Sequence, residues 1–313
     1  MITMFWPYVP KEAIDVITEI LKTRWIGQGP KVDEVEKKFS QQFNIPYSVT
    51  VNSGTAALHL ALKLAGVEEN DEVITTPMTC TATNIPILYS KSKAIFADIQ
   101  AGSMNIDPED IKRKITPKTK AIMVVHWAGY PCDMAEIMAI AKDHNLRVIE
   151  DAAHALAARY QDKYIGAVSD FTCFSFQAIK QITSIDGGML TMKNEAESKR
   201  AKILRWYGID REFKGDIYWK YQIKEIGYKY HMNDVTAAIL DVQLDKIEAV
   251  AKRRKEIADQ YLSGLKNVAG LTLLERKPGR ESGNWLFTIQ VQKRDDFQKK
   301  LADNDIESHM VHV

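Results

Sequence analysis

The chain of 313 residues carries 42 Lys+Arg against 41 Asp+Glu, with 45% hydrophobic and 27% charged residues. That balance excludes a general pull toward nucleic acid or an anionic membrane surface and describes a globular protein with a sizeable core. Cys80, Cys132 and Cys173 are odd in number and far apart, which argues against a disulfide framework and a Cys-x-x-Cys zinc site. With no signal peptide and no apolar run long enough to span a bilayer, a cytoplasmic protein is expected.

In chain order, short apolar runs read as buried strands at Tyr47–Val51, Glu72–Thr76, Ala94–Ala97, Ala121–His126, Arg147–Glu150, Phe171–Phe176 and Gly188–Met192. Helices fall between several of them. Thr55–Ala65 is apolar almost all round and stops at Gly66, Asp107-Pro108 opens a helix with a cap and a first-turn proline, and Asp133 opens Met134–His144. Strand and helix alternating in this way predict an α/β domain with a mostly parallel sheet and ligands at the carboxyl ends of its strands. From about Asp241 the texture changes to a charged helix Lys246–Val268, strands Leu271–Leu274 and Trp285–Val291, a helix Asp296–Asn304 and a last strand Glu307–Val313. The expected division is therefore a large domain over residues 1–240 and a small α+β domain over 241–313.

Three local features carry chemistry. Asn52-Ser53-Gly54-Thr55-Ala56-Ala57-Leu58 is a strand end followed by a helix start, which reads equally as an anion site or as a Ser/Thr cap on a buried helix. Glu150-Asp151-Ala152-Ala153-His154 puts a carboxylate at the end of a buried strand, where it faces a ligand or caps the next helix. Phe174-Ser175-Phe176-Gln177-Ala178-Ile179-Lys180 delivers one lysine into a loop that runs on to Asp186-Gly187-Gly188, the glycines being read as a tight turn. A desolvated lysine amine there is a nucleophile; most lysines are simply solvated.

Together, in this order and spacing, these segments resemble the DegT/DnrJ/EryC1/StrS sugar aminotransferases. Trp25-Ile26-Gly27-Gln28-Gly29-Pro30, His126-Trp127-Ala128-Gly129 and Gly227-Tyr228-Lys229-Tyr230-His231-Met232-Asn233-Asp234 extend the resemblance over essentially the whole chain. It implies the fold-type-I architecture of pyridoxal-5′-phosphate (PLP) transferases and a homodimer. It also implies transfer of an amino group from L-glutamate to a nucleotide-linked keto sugar, with a lean toward 4-keto-6-deoxy hexoses. By position it makes Lys180 the Schiff-base lysine and proton shuttle. Asp151 becomes the partner of the pyridine nitrogen and His154 a neighbour of the ring hydroxyl, while Gly54, Thr55 and Ser175 become the phosphate holders. Cys80 stands where the family places a ring-stacking aromatic, and Lys229 where a partner subunit's Asn reaches the phosphate. The chain also stops short of the family's closing segment, near His312, so a truncated small domain is expected. Other readings are a keto-cyclitol aminotransferase and a catalytically silent PLP-fold regulator.

Arg205-Trp206-Tyr207-Gly208 reads either as a border of the sugar pocket or as an aromatic helix end capped by Gly208. The run Lys252-Arg253-Arg254-Lys255 reads as a solvated helical face, and the scattered histidines give no metal pattern.

Overall fold

A computed structural model of the chain describes residues 2–211, 223 and 225–310; His312 lies outside them. Two helices, α1 (Glu12–Thr23) and α2 (Pro30–Phe43), precede β1 (Tyr47–Val51) and α3 (Gly54–Leu64). Alternation continues through β2 (Glu72–Thr75), α4 (Thr81–Tyr89), β3 (Lys93–Phe96), α5 (Pro108–Lys114), β4 (Thr119–Val125), α6 (Met134–Asp143) and β5 (Arg147–Asp151). A short hairpin, β6 (Arg159–Tyr160) and β7 (Lys163–Tyr164), leads to β8 (Phe171–Ser175), β9 (Gly188–Met192), α7 (Glu195–Leu204) and α8 (Asp234–Leu244). The remaining elements are α9 (Ile247–Leu265), β10 (Leu271–Leu273), β11 (Arg280–Glu281), β12 (Ile289–Val291) and α10 (Arg294–Ala302).

Seven strands form one sheet in the order β1-β9-β8-β5-β4-β2-β3. Neighbours from β3 to β8 pair in parallel, and β9 runs antiparallel to both β8 and β1. Side chains alternate across it as the pleat requires. Ile122 and Val124 join the core under α2, α5, α6 and α8, while Ala121 and Met123 join the core under α3 and α7. Helix α3 is apolar all round because it is covered by the sheet, α4 and α7. Gly66 ends it with φ +75° and its N–H on the Lys63 carbonyl.

The C-terminal segment is thinner. β10 and β12 make a two-stranded ribbon, β11 pairs with β6, and α10 contains no buried residue. The expected strand Trp285–Val291 begins only at Ile289. Ahead of it, the N–H groups of Gly283, Trp285 and Leu286 donate to the carbonyls of Gly129, Ala128 and Ala128, so no sheet ladder is available to them. The expected strand Glu307–Val313 is not formed by residues 307–310. There the backbone instead pairs once with the N-terminal arm, Ile2 donating to Asp305 and Glu307 donating to Ile2.

Candidate active site

Strand β8 hands the chain to a loop closed on itself: Phe176 N–H donates to Gly187, Ser184 N–H to Phe176, and Lys180 N–H to Gln177. Lys180 is thus delivered half-buried at the carboxyl end of the sheet. Burial pushes its amine below the ordinary lysine range, while the charges of Asp151 and then Cys80 pull the other way. Part of the population is then a neutral, nucleophilic amine nearer to neutral pH.

Asp151 is the last residue of β5 and is buried. Its Oδ1 accepts from Ala153 N–H at 3.0 Å and its Oδ2 from Thr83 Oγ1 at 2.6 Å. Because the Thr83 hydroxyl spends its one hydrogen there, Thr79 donates to Thr83 across 2.6 Å. Each carboxylate oxygen keeps a lone pair for a further donor. Behind it, His126 Nδ1 accepts from Cys132 N–H, which leaves the proton on Nε2 to donate to Glu150 at 2.7 Å. Burial alone would raise the Glu150 carboxyl, but His126, Ser169 and Thr172 all donate to it and hold it below the usual range.

The N-terminus of α3 lies beside Ser175. Ser53 caps the helix, its Oγ accepting from Ala56 N–H at 3.1 Å, and its carbonyl takes Ala57 N–H. Among the described residues no acceptor meets the N–H groups of Gly54 and Thr55, and the first turn holds no acid. Those donors, at the positive end of the helix dipole, are an anion site. A Cβ on Gly54 would stand 3.0 Å from Ser175 Cβ. Neither Gly187 nor Gly188 has the positive φ expected of a tight turn. Gly188 is required for room instead: a Cβ there would lie 2.5 Å from the Ser53 carbonyl oxygen.

Cys80 is exposed at the cap position of α4 and makes no side-chain cap bond. His154 is buried, and its ring stacks on Trp285 with centroids 3.7 Å apart and planes 14° apart. Lys180 Nζ lies 4.2 Å from the same indole centroid. The Lys229 carbonyl accepts from Asn52 Nδ2, and its amine rests over Trp206 at 5.4 Å and Tyr207 at 5.5 Å. The structure therefore gathers Asp151, Cys80 and Lys180, seats Gly54 against Ser175, and joins His154 to Lys180 through Trp285.

Nearby, one open reading is resolved and one expectation is corrected. Arg205 does not border a pocket: it is buried and bonded to Glu36 and Thr50, while Gly208 (φ +76°) donates to Ile203 and ends the helix. Arg254 is not part of a solvated face, for its Nη1 donates to the carbonyls of Asn284 and Trp285. Trp285 and Thr83 are the site residues that sequence reasoning missed. Only the Ser282-Gly283-Asn284 run, turn chemistry just ahead of a predicted strand, signalled anything. Among the described residues, no group of side chains could hold a metal ion, and no helix is long and apolar enough to cross a membrane.

An acid at one strand end, a desolvated amine in the next loop and an open helix N-terminus beside them define a cofactor-using transferase site on an α/β fold. The profile of the DegT/DnrJ/EryC1/StrS aminotransferase family matches residues 7–313, and the chain belongs to that family. It is 38% identical over 293 residues to the spore coat polysaccharide biosynthesis protein SpsC of Bacillus subtilis, covering 92% of this chain and 75% of SpsC. It is 35% identical over 317 residues to the GDP-perosamine synthase of Escherichia coli O157:H7, covering 99% and 84%. Among solved structures, the PMP-form of the putative sugar aminotransferase Spr1654 from Streptococcus pneumoniae superposes with a TM-score of 0.94 at 30% identity, covering 100% of this chain and 86% of that one. The fold is that of the type I PLP-dependent transferases, as the resemblance implied.

Proposed function

We propose that this aminotransferase binds PLP through Lys180 and moves an amino group from L-glutamate onto a keto sugar carried by a nucleotide, with 4-keto-6-deoxy hexoses the first class to try. The observation that carries the reading is the desolvated Lys180 amine facing Asp151. The residues fit the group: the cradle at Gly54, Thr55 and Ser175 suits its phosphate, Asp151 its ring nitrogen, Lys180 its aldehyde, and His154 the ring hydroxyl. Relatives support the class, one being named a GDP-perosamine synthase and another being known in PLP- and PMP-forms.

When bound, PLP supplies an aldehyde to hold the amino group and a ring that accepts electrons. Asp151, fixed by Thr83 and Ala153, would pair with the ring nitrogen and favour its protonated form. The α3 N–H groups of Gly54 and Thr55 and the Ser175 hydroxyl bind and orient the phosphate. Lys180 Nζ would hold the group and, when free, would carry the proton of the substrate carbon; burial favours the neutral amine this needs. The same amine would serve when the keto sugar is the amino acceptor.

The reading includes a second copy of the chain, whose Lys229 would reach toward the phosphate. Trp6, Trp25, Leu88 and Tyr89 are exposed and would be covered by it. It also includes a cytoplasmic setting and a division of labour between residues 1–240, which hold the cofactor, and residues 241–313. The test is spectroscopic. PLP-loaded protein should change its visible absorbance on adding L-glutamate, and UDP-, dTDP- and GDP-linked 4-keto-6-deoxy sugars should be screened for an amine mass shift. Lys180→Ala should abolish both signals, with turnover down by about 10³-fold or more; full activity in that variant ends the reading. A band that L-glutamate leaves unchanged would mark a binding protein.

A further inference from the structure

Trp285 enters the site from a segment that shares no sheet with the strands bearing Asp151 and Ser175. It is carried there by a close backbone crossing. Gly283 N–H donates to Gly129 at 2.9 Å, and Trp285 N–H to Ala128 at 3.0 Å. Gly129 has φ +97°, and a Cβ there would lie 2.6 Å from the His154 carbonyl and 3.0 Å from Asn284 N. A Cβ on Gly283 would lie 2.9 Å from the Leu156 carbonyl. A larger residue at Gly129 would displace His154 and the Gly283–Asn284 backbone, and one at Gly283 would press on Leu156, Gln181 and His154. From the outside, Arg254 holds the carbonyls of Asn284 and Trp285 at 3.3 Å and 3.2 Å.

The indole so delivered touches three things that matter. Its Nε1–H donates to the carbonyl of Ile179, the residue before Lys180, at 3.0 Å. Its ring lies 4.2 Å from Lys180 Nζ and stacks on His154. Gln181, the residue after Lys180, donates to the His154 carbonyl. The lysine, its two neighbours and His154 are thereby one unit whose centre is an aromatic ring.

We propose that Trp285 is a positioning residue of the transfer: its indole fixes where the Lys180 amine and the His154 ring stand. The proposal rests on the PLP reading above. Because one amine carries the proton in both directions, a positioning role predicts equal damage to both directions. A platform for the sugar alone would leave the amino-acid chemistry untouched.

The experiment compares wild type with Trp285→Phe, Trp285→Leu and Arg254→Met. One readout is the rate at which apo-protein takes up PLP, followed by visible absorbance. The others are single-turnover rates of the PLP-loaded protein with L-glutamate and of the PMP-loaded protein with 2-oxoglutarate. Trp285→Leu should slow all three by about tenfold and by like factors, since it removes a ring face near a cation and an alignment. Trp285→Phe, which keeps a ring, should stay within about threefold of wild type. Arg254→Met, which leaves the indole in place but loosens its backbone, should slow all three by about threefold and carries the test should Trp285→Leu not fold. Wild-type rates in the Leu variant, a loss in one direction only, or wild-type rates in the Arg254 variant would overturn the proposal. Failure of wild type itself to take up PLP would instead sink the PLP reading.

Discussion

Two regions reach Lys180 by different means. Asp151 and Ser175 stand at the ends of β5 and β8, with fully buried side chains such as Ile149, Phe171 and Cys173 behind them. The segment 282–286 has no such backing. It is held by main-chain bonds to the His126–Tyr130 turn and by Arg254. The difference teaches that this fold places its acid and its anion cradle on rigid, dry strand ends, and adds an aromatic contact from a part that depends on a few long-range hydrogen bonds.

The sharpest way to break this contrast is on the rigid side. Asp151→Asn keeps the shape and the bond from Ala153 N–H, reverses the bond to Thr83 and removes the charge. Turnover of the PLP-loaded enzyme should fall by about 10²-fold or more while stability in urea changes by less than about 1 kcal/mol. Near-normal turnover would mean that the carboxylate only closes the turn at Ala153, since no helix follows β5 for it to cap. On the other side, Gly129→Ala introduces a Cβ against the His154 carbonyl at a positive φ. It should cost about 2–4 kcal/mol in denaturant unfolding, and a loss under about 1 kcal/mol would show the crossing to be loose.

The third prediction concerns pH. His59, on α3, is buried against Tyr230, and burial, aided by Lys63, lowers its pKa from 6.5 to about 4. An unfolded histidine therefore binds a proton more readily than the folded one. Stability should be full above about pH 6.5 and be lost as pH falls toward 4, by about 2–3 kcal/mol from this residue. His59→Gln should flatten that slope in thermal melts; an unchanged slope would place the acid sensitivity elsewhere. The smallest effect is at the cradle. Gly54→Ala suits a helix start but crowds Ser175, so PLP should bind about tenfold more weakly with little change in melting temperature. Unchanged affinity would move the phosphate away from this helix end.

The same contrast governs what could be read in advance. Each sheet strand was visible as an apolar run, which burial on both faces demands of all but the half-exposed edge strand β3, and bounds shifted by only a residue or two. A strand end made Asp151 a candidate, but it was the family resemblance that singled out Asp151 and Lys180. What stayed hidden depends on partners far apart in the chain. Asp133 has the position and type of a helix cap, yet makes no cap bond and instead binds Gln100, Lys277 and Arg280. The segment from Arg205 to Gly208 was open between a pocket border and a capped helix end, and nothing local reports that Arg205 is consumed by Glu36. Arg254 sat in a charge run that gives no direction, and Trp285 read as a strand residue because nothing local reports a bond to residue 128. The Gly187-Gly188 pair was noticed for the wrong property, backbone freedom rather than absence of a side chain.

The central claim is that Lys180 is the residue that holds PLP. Wild-type protein should be incubated with PLP, reduced with borohydride, digested and mapped by mass. The account predicts one pyridoxyl phosphate group per chain, attached at Lys180 and absent from Lys180→Ala. A label on another lysine, or none at all, would contradict it.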